Sequence, residues 1–380
     1  MQTLTSLLQE FKNNDIVQQE VKNIRSLAKS INKKVCIMEV CGTHTMQISK
    51  YGIRKLMPEN VRLISGPGCP VCVTPVEYID KAIYILNNHK DIIVVTFGDL
   101  FRVPGSESSL EEEKSAGKDV RIIYSPEELL DIAEKNKDKN VVFLSIGFET
   151  TMPAVACIVK EVKQKNINNV FFLLGNKFFL PALEVLILQS RNFLSSTITT
   201  DSSLDGFILP GHLSSIIGEN SYHWIAKKYR IPGVITGFEP VDIVRGIRMI
   251  LEMIVNNQSE IKNEYTRVVT YEGNVLAKKI MMEVFIPTEG NWRGIGVVAY
   301  SGAKFKNEYE QYDAERKFVI PKIVSKPEPY NCRCSEVLIG KISPFECPLF
   351  AKSCTPQKPK GACMVSQEGT CAAYYKYEMC

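Results

Sequence analysis

Cys41 stands where a thiol could do chemistry. The stretch from Val35 to Gly52 reads VCIMEVCGTHTMQISKYG, a strand-like apolar run that ends at Cys41 before a helix-like segment. A helix N-terminus favours negative charge and lowers the pKa of a thiol placed there. His44 follows three residues later and could hold a ligand, shuttle a proton or steady the thiolate. By itself, this pattern leaves three interpretations of Cys41: a packing thiol, a nucleophile or a metal ligand.

A second pair of thiols lies in the loop GPGCPVC, where Cys69 and Cys72 form a C-x-x-C motif. Such a pair on a loop after a strand is typical of a redox dithiol, because the two sulfurs can close a disulfide. Coincidental proximity in a tight loop and half of a zinc site are the alternatives. The chain has no second C-x-x-C, which excludes a standard zinc ribbon. The motif therefore favours a reversible dithiol.

Charged residues in glycine-rich loops are further candidates. Asp99 and Arg102 lie in FGDLFRVPGS, and Glu149 lies in GFETTMP. Asp99 and Glu149 could act as bases, proton carriers or hydrogen-bond anchors. Ion pairing between neighbouring loops is an equally good interpretation. His212 lies in the loop LPGHLSSIIG, and for it a functional and a structural role are equally good interpretations.

The end of the chain concentrates cysteine without hydrophobic periodicity. From Pro327 onward it is rich in Pro, Cys, Gly and Lys, and we expect a metal centre to hold it, since it cannot build a core of its own. Four thiolates can hold an iron–sulfur cluster or a zinc ion. The wide spacing fits a loop wrapped around a larger cluster better than the paired ligands of zinc. The widely spaced cysteines are Cys332, Cys347, Cys354 and Cys371.

Composition limits the classes of function. The chain has 380 residues, 45% of them hydrophobic, a net charge of +4 and 12 cysteines. No basic block indicates nucleic-acid binding, and no run reaches the roughly 18 apolar residues of a membrane span. The N-terminus lacks an apolar signal core, so the cytoplasm is the expected compartment. Because that compartment is reducing, the cysteines point to metal binding or redox work rather than to a disulfide scaffold.

Apolar runs alternate with amphipathic helices along the chain, which predicts parallel sheet with both faces covered. The unusual loops follow the predicted strands, and ligands bind at the carboxyl ends of strands in such folds. The pattern allows either one barrel or two sheets. The predicted strands are Val35–Val40, Val61–Ser65, Ile92–Thr96, Val120–Tyr124, Val141–Ile146, Val170–Leu174, Gly206–Leu209 and Gly233–Thr236.

Polar or irregular stretches suggest where the chain divides. The polar stretch Lys135–Asn140 is the expected seam between the two α/β parts. We therefore expect an N-terminal helix and first α/β domain in residues 1–137 and a second α/β domain in residues 138–264. Residues 265–330 read as a connecting or covering region, and residues 331–380 as a cysteine-rich domain.

Several motifs together resemble the HypD family of [NiFe]-hydrogenase maturation proteins. They are CGTHT, GPGCPVC, TFGDLFRVPGS, GFETTMP, LPGHLSSIIG, TGFEPVDIV, GNWRGIG and CTPQKPKGACMVSQEGTCAAYYKY, and they cover the chain from about position 36 to its end. The resemblance implies two parallel-sheet α/β domains facing a cleft, plus a small irregular C-terminal iron–sulfur domain with a [4Fe-4S] cluster. It favours two sheets over one barrel.

The resemblance also implies residue roles. Cys41 looks like a thiol that binds iron, with His44 nearby, and Cys69 and Cys72 match a redox-active pair. Asp99 and Glu149, with His44, would manage protons. The cluster ligands implied are Cys332, Cys347, Cys354 and Cys371, with Cys334 and Cys363 as close alternatives.

The function implied is a scaffold for assembling the Fe(CN)₂CO unit of [NiFe]-hydrogenase. Members of the family pair with the small chaperone HypC. Cyanide is delivered by HypE, which receives its carbamoyl group from HypF. An autonomous thiol–disulfide oxidoreductase with a structural metal tail is the main alternative, because it needs only Cys69 and Cys72. A zinc-carrying adaptor protein is the other.

Overall fold

Two parallel β-sheets form the framework of the computed structural model, which describes residues 13–196, 204–326 and 331–379. An antiparallel hairpin of β10 and β11 is added to them. The strands are β1 Val35–Glu39, β2 Val61–Ser65, β3 Ile92–Phe97, β4 Val120–Ile123, β5 Asn140–Ser145, β6 Val170–Leu174, β7 Leu204–Pro210, β8 Gly233–Thr236, β9 Ile261–Asn263, β10 Phe285–Trp292 and β11 Gly296–Phe305.

The strand order separates the two sheets clearly. One sheet has the order β2-β1-β7-β8-β9, and the other has the order β4-β3-β5-β6. Every pairing within them is parallel. The α/β class and the division into two parallel sheets are therefore confirmed, and the single barrel is excluded.

The expected boundary between residues 137 and 138 is wrong. Strands β3 and β4 come before it and β5 and β6 after it, yet these four form one sheet, with Val94 opposite Val142. The five-stranded sheet takes β1 and β2 from the start of the chain and β7 to β9 from residues 204–263. The polar stretch Lys135–Asn140 is an ordinary surface connection inside the four-stranded sheet. Polarity marks exposure of a loop, and it carries no information about which strands pair.

Helices follow most of the strands, as the alternation predicts. None of the described helices has the length and apolar character needed to cross a bilayer. The helices are α1 Asn14–Lys29, α2 Gly42–Lys50, α3 Ile53–Leu56, α4 Pro70–Val73, α5 Val76–Asn88, α6 Gly98–Phe101, α7 Leu110–Ser115, α8 Glu128–Lys135, α9 Met152–Gln164, α10 Phe179–Ser196, α11 Gly211–Ile217, α12 Pro240–Val255, α13 Val275–Val284, α14 Ala314–Phe318, α15 Cys334–Leu338 and α16 Thr370–Tyr377.

The covering region contains more regular structure than its sequence indicates. Helix α13 precedes the hairpin, in which Phe285 lies opposite Phe305. The turn motif GNWRGIG joins the two strands, and Trp292 is buried and stacked on Phe148 of the four-stranded part. The hairpin thus packs into the core rather than lying loosely over it.

The cysteine-rich tail also shares the main core. Val337, Phe350, Met364 and Tyr374 are buried in the same apolar cluster as Met38 of β1. The tail consists of short helices and turns, and α16 packs against α2. Docking onto the α/β body therefore supplies part of the hydrophobic burial that the tail lacks in isolation.

Candidate functional site

Cys41 is the N-cap residue of α2, directly after β1 and Val40. The helix-like segment is α2, which begins at Gly42, so the thiol lies at the helix N-terminus itself. The backbone N–H groups of Thr43 and His44 lie near its sulfur and favour the thiolate, which lowers its pKa. Burial, and then the negative charge of Glu368, nevertheless raise the pKa of the Cys41 thiol to about 12. The thiol is thus protonated until a cation binds it, and a bound metal ion would displace the proton.

The loop that carries the dithiol is pressed against Cys41. Gly68 lies so close that a Cβ atom on it would be 2.4 Å from the backbone N and Cα of Cys41. Gly66 anchors the same loop, because its N–H donates to the carbonyl of Glu39 at 2.7 Å. Cys69 follows Gly68 directly. The sequence-predicted metal thiol and dithiol are therefore neighbours in space.

Cys69 and Cys72 form the two ends of one helical turn. Cys69 is the N-cap of α4, and its sulfur accepts a hydrogen bond from the N–H of Cys72 at 3.2 Å. The Cys72 thiol in turn donates to the carbonyl of Ala362 at 3.9 Å and lies beside the sulfurs of Cys69 and Cys363. Burial raises the pKa of Cys72 well above its ordinary value. Both residues are buried, with exposed fractions of 3% for Cys69 and 0% for Cys72.

Cys363 links the dithiol to the tail cysteines, and the sequence named it only as an alternative ligand. Its sulfur lies beside those of Cys72, Cys334 and Cys371, close enough for the thiols of each pair to shift each other's pKa. The four sulfurs thus form a continuous series of contacts from the α/β body into the tail. Spacing alone could not reveal this, because the contact depends on how the tail docks.

Several tail cysteines lie close to one another. Cys371 is close enough to Cys334, Cys354 and Cys347 to feel their negative charge. The N–H of Lys360 donates to the sulfur of Cys354 at 3.3 Å, a contact typical of a ligating thiolate. A Cβ on Gly361 would lie 3.2 Å from the Cys332 sulfur, so this glycine keeps space beside the thiols.

The donor chemistry of the tail fits a cluster with thiolate ligands. Six of the cysteines in residues 332–371 lie together: Cys332, Cys334, Cys347, Cys354, Cys363 and Cys371. Across the described ranges, no three His, Cys, Asp or Glu side chains are already spaced to hold a metal ion. A four-ligand cluster would use four of these six cysteines, and which four is proposed below.

His44 is fully buried beneath the five-stranded sheet's loops. Its Nε2 donates to the carbonyl of Gly237 and contacts the hydroxyl of Thr236, both at 2.9 Å. Its Nδ1 has no hydrogen-bond partner. Burial lowers the pKa of His44 to about 4, so the ring is neutral near pH 7. His44 therefore offers one free lone pair, while its ring stacks on Phe238.

Glu149 lies in the loop before α9, and its buried carboxylate caps the N-terminus of α10. Its carboxylate accepts from the N–H of Phe179 at 3.0 Å and is 4% exposed. Burial raises the pKa of Glu149 to about 7, the range of a group that exchanges protons at neutral pH. This geometry combines an anchoring role with the chemistry of a proton carrier.

Tyr222 is a candidate that the sequence did not single out. It is fully buried, and its hydroxyl lies 3.1 Å from the hydroxyl of Ser214. Burial raises its pKa, and the charges of Glu149 and Cys41 raise it further. Tyr222 thus lies close to both groups. A tyrosine after a turn gives no signal in sequence, because its place depends on the packing of two distant loops.

Asp99 and Arg102 hold the tail in place. Asp99 accepts a hydrogen bond from the Ser366 hydroxyl at 2.7 Å, and Arg102 donates to the carbonyl of Pro356 at 2.7 Å. Arg102 also forms an ion pair with Glu111 of α7 at 3.5 Å. The two tail contacts join residues that are 254 or more positions apart in sequence. On the same side, Thr43 of the Cys41 loop donates to Glu368 at 2.6 Å. The tail therefore touches both the loop after β1 and the loop after β3.

Arg54 forms a second bond between the tail and the α/β body. It pairs with Glu39 of β1 and with Glu378 after α16, each at 2.9 Å. Its guanidinium also lies over the ring of Tyr374. Burial raises the pKa of Glu39 to about 7, while Arg54 counteracts that shift. A buried arginine therefore connects the strand before Cys41 to the last helix.

Known proteins resemble this chain over nearly its whole length. The family profile described as HypD, hydrogenase formation hypA family, matches residues 15–378. A Methanocaldococcus jannaschii protein named as a hydrogenase expression/formation protein is 43% identical over 362 residues, which cover 95% of this chain and 97% of the relative. Hydrogenase maturation factor HypD of Escherichia coli K12 is 40% identical over 379 residues, 97% of each chain. The factor of the same name from Cupriavidus necator is 40% identical over 374 residues, 97% of this chain and 96% of the relative.

The matches bear directly on the site described above. They include the loops that carry Cys41, the dithiol and the tail cysteines, because the profile begins before β1 and ends after α16. The alignment with the Escherichia coli factor covers 97% of this chain and so includes the described site. The chain belongs to the HypD family and is a hydrogenase maturation factor.

Proposed function

We propose that this chain holds iron through Cys41 while the ligands of the Fe(CN)₂CO unit of [NiFe]-hydrogenase are attached. The observation that carries the proposal is the packing of Gly68 on the backbone of Cys41, which brings the Cys69/Cys72 dithiol beside the metal thiol. Iron is the cargo here, so the site needs to bind it reversibly. A single protein sulfur suits such a role.

One thiol supplies iron with one bond, and a partner must supply another. We propose HypC as that partner, in a complex that includes this chain. Binding converts the Cys41 thiol to thiolate and releases one proton. The N–H groups of Thr43 and His44 then stabilise the sulfur's negative charge. The free Nδ1 of His44 is a further group that could face the bound iron or its proton.

The dithiol can supply two electrons for cyanide transfer. We propose that HypE, loaded by HypF, presents cyanide as a thiocyanate, R–SCN. Oxidation of Cys69 and Cys72 to a disulfide gives two electrons and two protons. Reduction of R–SCN with two electrons and one proton gives R–SH and cyanide, which binds the iron. The second proton leaves the site, and Glu149 and Tyr222 are placed to accept or pass it.

Cys363 offers a route for reducing the disulfide again. Its thiolate would attack the sulfur of Cys72, with which it is in contact, and Cys334 would then close a disulfide with Cys363. This exchange restores two thiols at Cys69 and Cys72 and leaves one disulfide in the tail. The electrons are conserved at each step.

The tail thiols fit a [4Fe-4S] cluster held by Cys332, Cys347, Cys354 and Cys371, which keeps Cys334 and Cys363 for thiol exchange. When bound, such a cluster supplies electrons one at a time. Asp99 and Arg102 would then serve to keep this tail against the site, through Ser366 and Pro356.

The burial of the dithiol speaks against an autonomous thiol–disulfide oxidoreductase. An enzyme acting on protein disulfides needs an exposed attacking sulfur. Cys69 is 3% exposed and Cys72 is fully buried. The arrangement favours a dithiol that serves a neighbouring site in the same chain.

A variant of the dithiol tests the proposal. In chain co-purified anaerobically with HypC, we expect Cys72→Ser to retain iron but to lose the infrared bands of bound cyanide. The exposed Cys157 provides the control, since Cys157→Ser removes a thiol outside the site. Cyanide bands of normal intensity in Cys72→Ser would contradict the role of the dithiol as electron source.

A further inference from the structure

One cavity in the described part of the chain has no cysteine among its lining residues. It has a volume of about 310 Å³ and lies between the start of α5, the segment after β6 and the hairpin β10–β11. Thr74, Asn176, Lys177 and Asn291 are among its lining residues, and no cysteine of the described chain is. The motifs GNK and GNW contribute to this wall, and the proposed maturation chemistry makes no use of them.

Lys177 is a buried cation in this wall. It is 5% exposed, and its Nζ donates to the carbonyl of Asn291 at 2.8 Å. Among the ion pairs of the described residues, none joins Lys177 to a carboxylate. Its Nζ also lies 5.5 Å from the centroid of the Trp292 ring, a cation–π contact that offsets part of the cost of burying the charge. An accompanying anion would offset more of that cost. Burial lowers the pKa of Lys177 only to about 8, which leaves most of it charged at pH 7.

Asn176 supplies a second donor without an acceptor. It is 2% exposed, and its Oδ1 accepts from the hydroxyl of Ser145 at 2.6 Å. Its Nδ2 is buried and has no hydrogen-bond partner. An orphaned amide of this kind costs free energy unless a ligand accepts from it. Of these two neighbouring residues, Asn176 has an amide donor without an acceptor, and Lys177 has one carbonyl acceptor and no carboxylate partner.

The charged residues around the opening of the cavity favour a small anion over a large one. Lys81 is held by Glu77 and Glu315 at 3.0 and 2.8 Å, so this part of the rim has no spare positive charge. Carboxylates at the rim disfavour a large polyanion. The other charged lining residues are Glu289, Lys304 and Asp313.

We propose that this cavity binds a small oxyanion, a carboxylate or a phosphate, with Lys177 as its counter-ion and Asn176 as its second donor. The proposal does not depend on the maturation chemistry. Its occupant would also touch Thr74, two residues after Cys72, whose carbonyl accepts from Arg293 of the hairpin turn. The site is thus placed to fix the segment that follows the dithiol.

Calorimetric titration of the full chain with inorganic phosphate and with acetate tests this, at constant ionic strength set by chloride. We expect saturable binding of one equivalent of at least one of the two, and the one that binds identifies the oxyanion class. Lys177→Met should weaken it by about tenfold or more, as loss of a buried counter-ion does. Lys304→Met, an exposed lysine of the same rim, should change it by less than about threefold. Binding of neither anion, or equal binding by Lys177→Met, would overturn the proposal.

Asn176→Asp is a second variant, useful if Lys177→Met fails to fold. The new carboxylate retains the acceptor for Ser145 and adds a negative charge to the wall that Lys177 also lines. We expect it to raise the thermal midpoint in chloride buffer and to abolish anion binding. Binding by Asn176→Asp as strong as that of the unmodified chain would also overturn the proposal.

Discussion

A single glycine decides how closely the dithiol loop approaches Cys41. A Cβ at Gly68 would meet the Cys41 backbone at 2.4 Å, far inside any normal contact. We expect Gly68→Ala to lower the free energy of unfolding by about 2 kcal/mol or more, since the loop must move away. Urea unfolding would measure it. Gly98→Ala is the control, because the nearest atom to a Cβ there is 3.7 Å away. Equal effects of the two substitutions would refute the close packing.

The buried carboxyl of Glu149 predicts a pH dependence. Its pKa is raised from 4.5 to about 7 in the folded chain, so the unfolded chain ionises first as pH rises. Stability from this group is therefore highest below pH 4.5 and is lost between about pH 4.5 and 7. In the unmodified chain, this ionisation lowers the free energy of unfolding by an amount on the order of 3 kcal/mol across this pH range, and we expect Glu149→Gln to remove that decrease.

Urea midpoints of the Glu149→Gln variant and of the unmodified chain at several pH values between 4 and 8 would measure the difference. The comparison between the two chains cancels the contributions of other titrating groups, such as Glu39, whose pKa is raised in the same way. Parallel curves for the two chains would show that Glu149 ionises normally in the folded state.

At the scale of elements, Arg54 couples the last helix to the first strand. Arg54→Met would leave Glu39 buried without its cation, and breaking such a pair costs about 3–5 kcal/mol. We expect faster hydrogen exchange in α16 and earlier proteolysis of the tail. Arg316→Met, in an exposed pair with Glu310, should change stability by less than about 1 kcal/mol. Unchanged exchange in α16 of Arg54→Met would contradict the coupling.

The elements themselves were largely readable from the sequence. Apolar runs bounded by polar or glycine-containing stretches predicted β2, β6 and β8 with their observed bounds, because aliphatic and aromatic residues suit largely buried strands. The first turn of α2 contains Gly42, Thr43 and Thr45, which are weak helix formers, so its start depends on tertiary contacts rather than on local propensity.

At the scale of the whole molecule, local sequence patterns carry no indication of how the two sheets divide the chain between them. The pairing of β1 with β7 joins residues that lie far apart in sequence, and local periodicity carries no record of it. The same limit applies to Cys363, whose neighbour Cys72 comes from a distant loop. Residue types and spacing predicted Cys41, Cys69 and Cys72 as candidates. Their mutual contact, and the part played by Tyr222 and Arg54, depend on the assembled core.

Infrared spectroscopy of the chain co-purified anaerobically with HypC tests the central claim most directly. The comparison is between Cys41→Ala and Cys157→Ala, a substitution of an exposed cysteine on α9. We predict that Cys41→Ala abolishes the bands of iron-bound cyanide and CO, because the iron loses its sulfur ligand from this chain, whereas Cys157→Ala leaves them unchanged. Persistence of those bands in Cys41→Ala would contradict the assignment of Cys41 as the iron ligand.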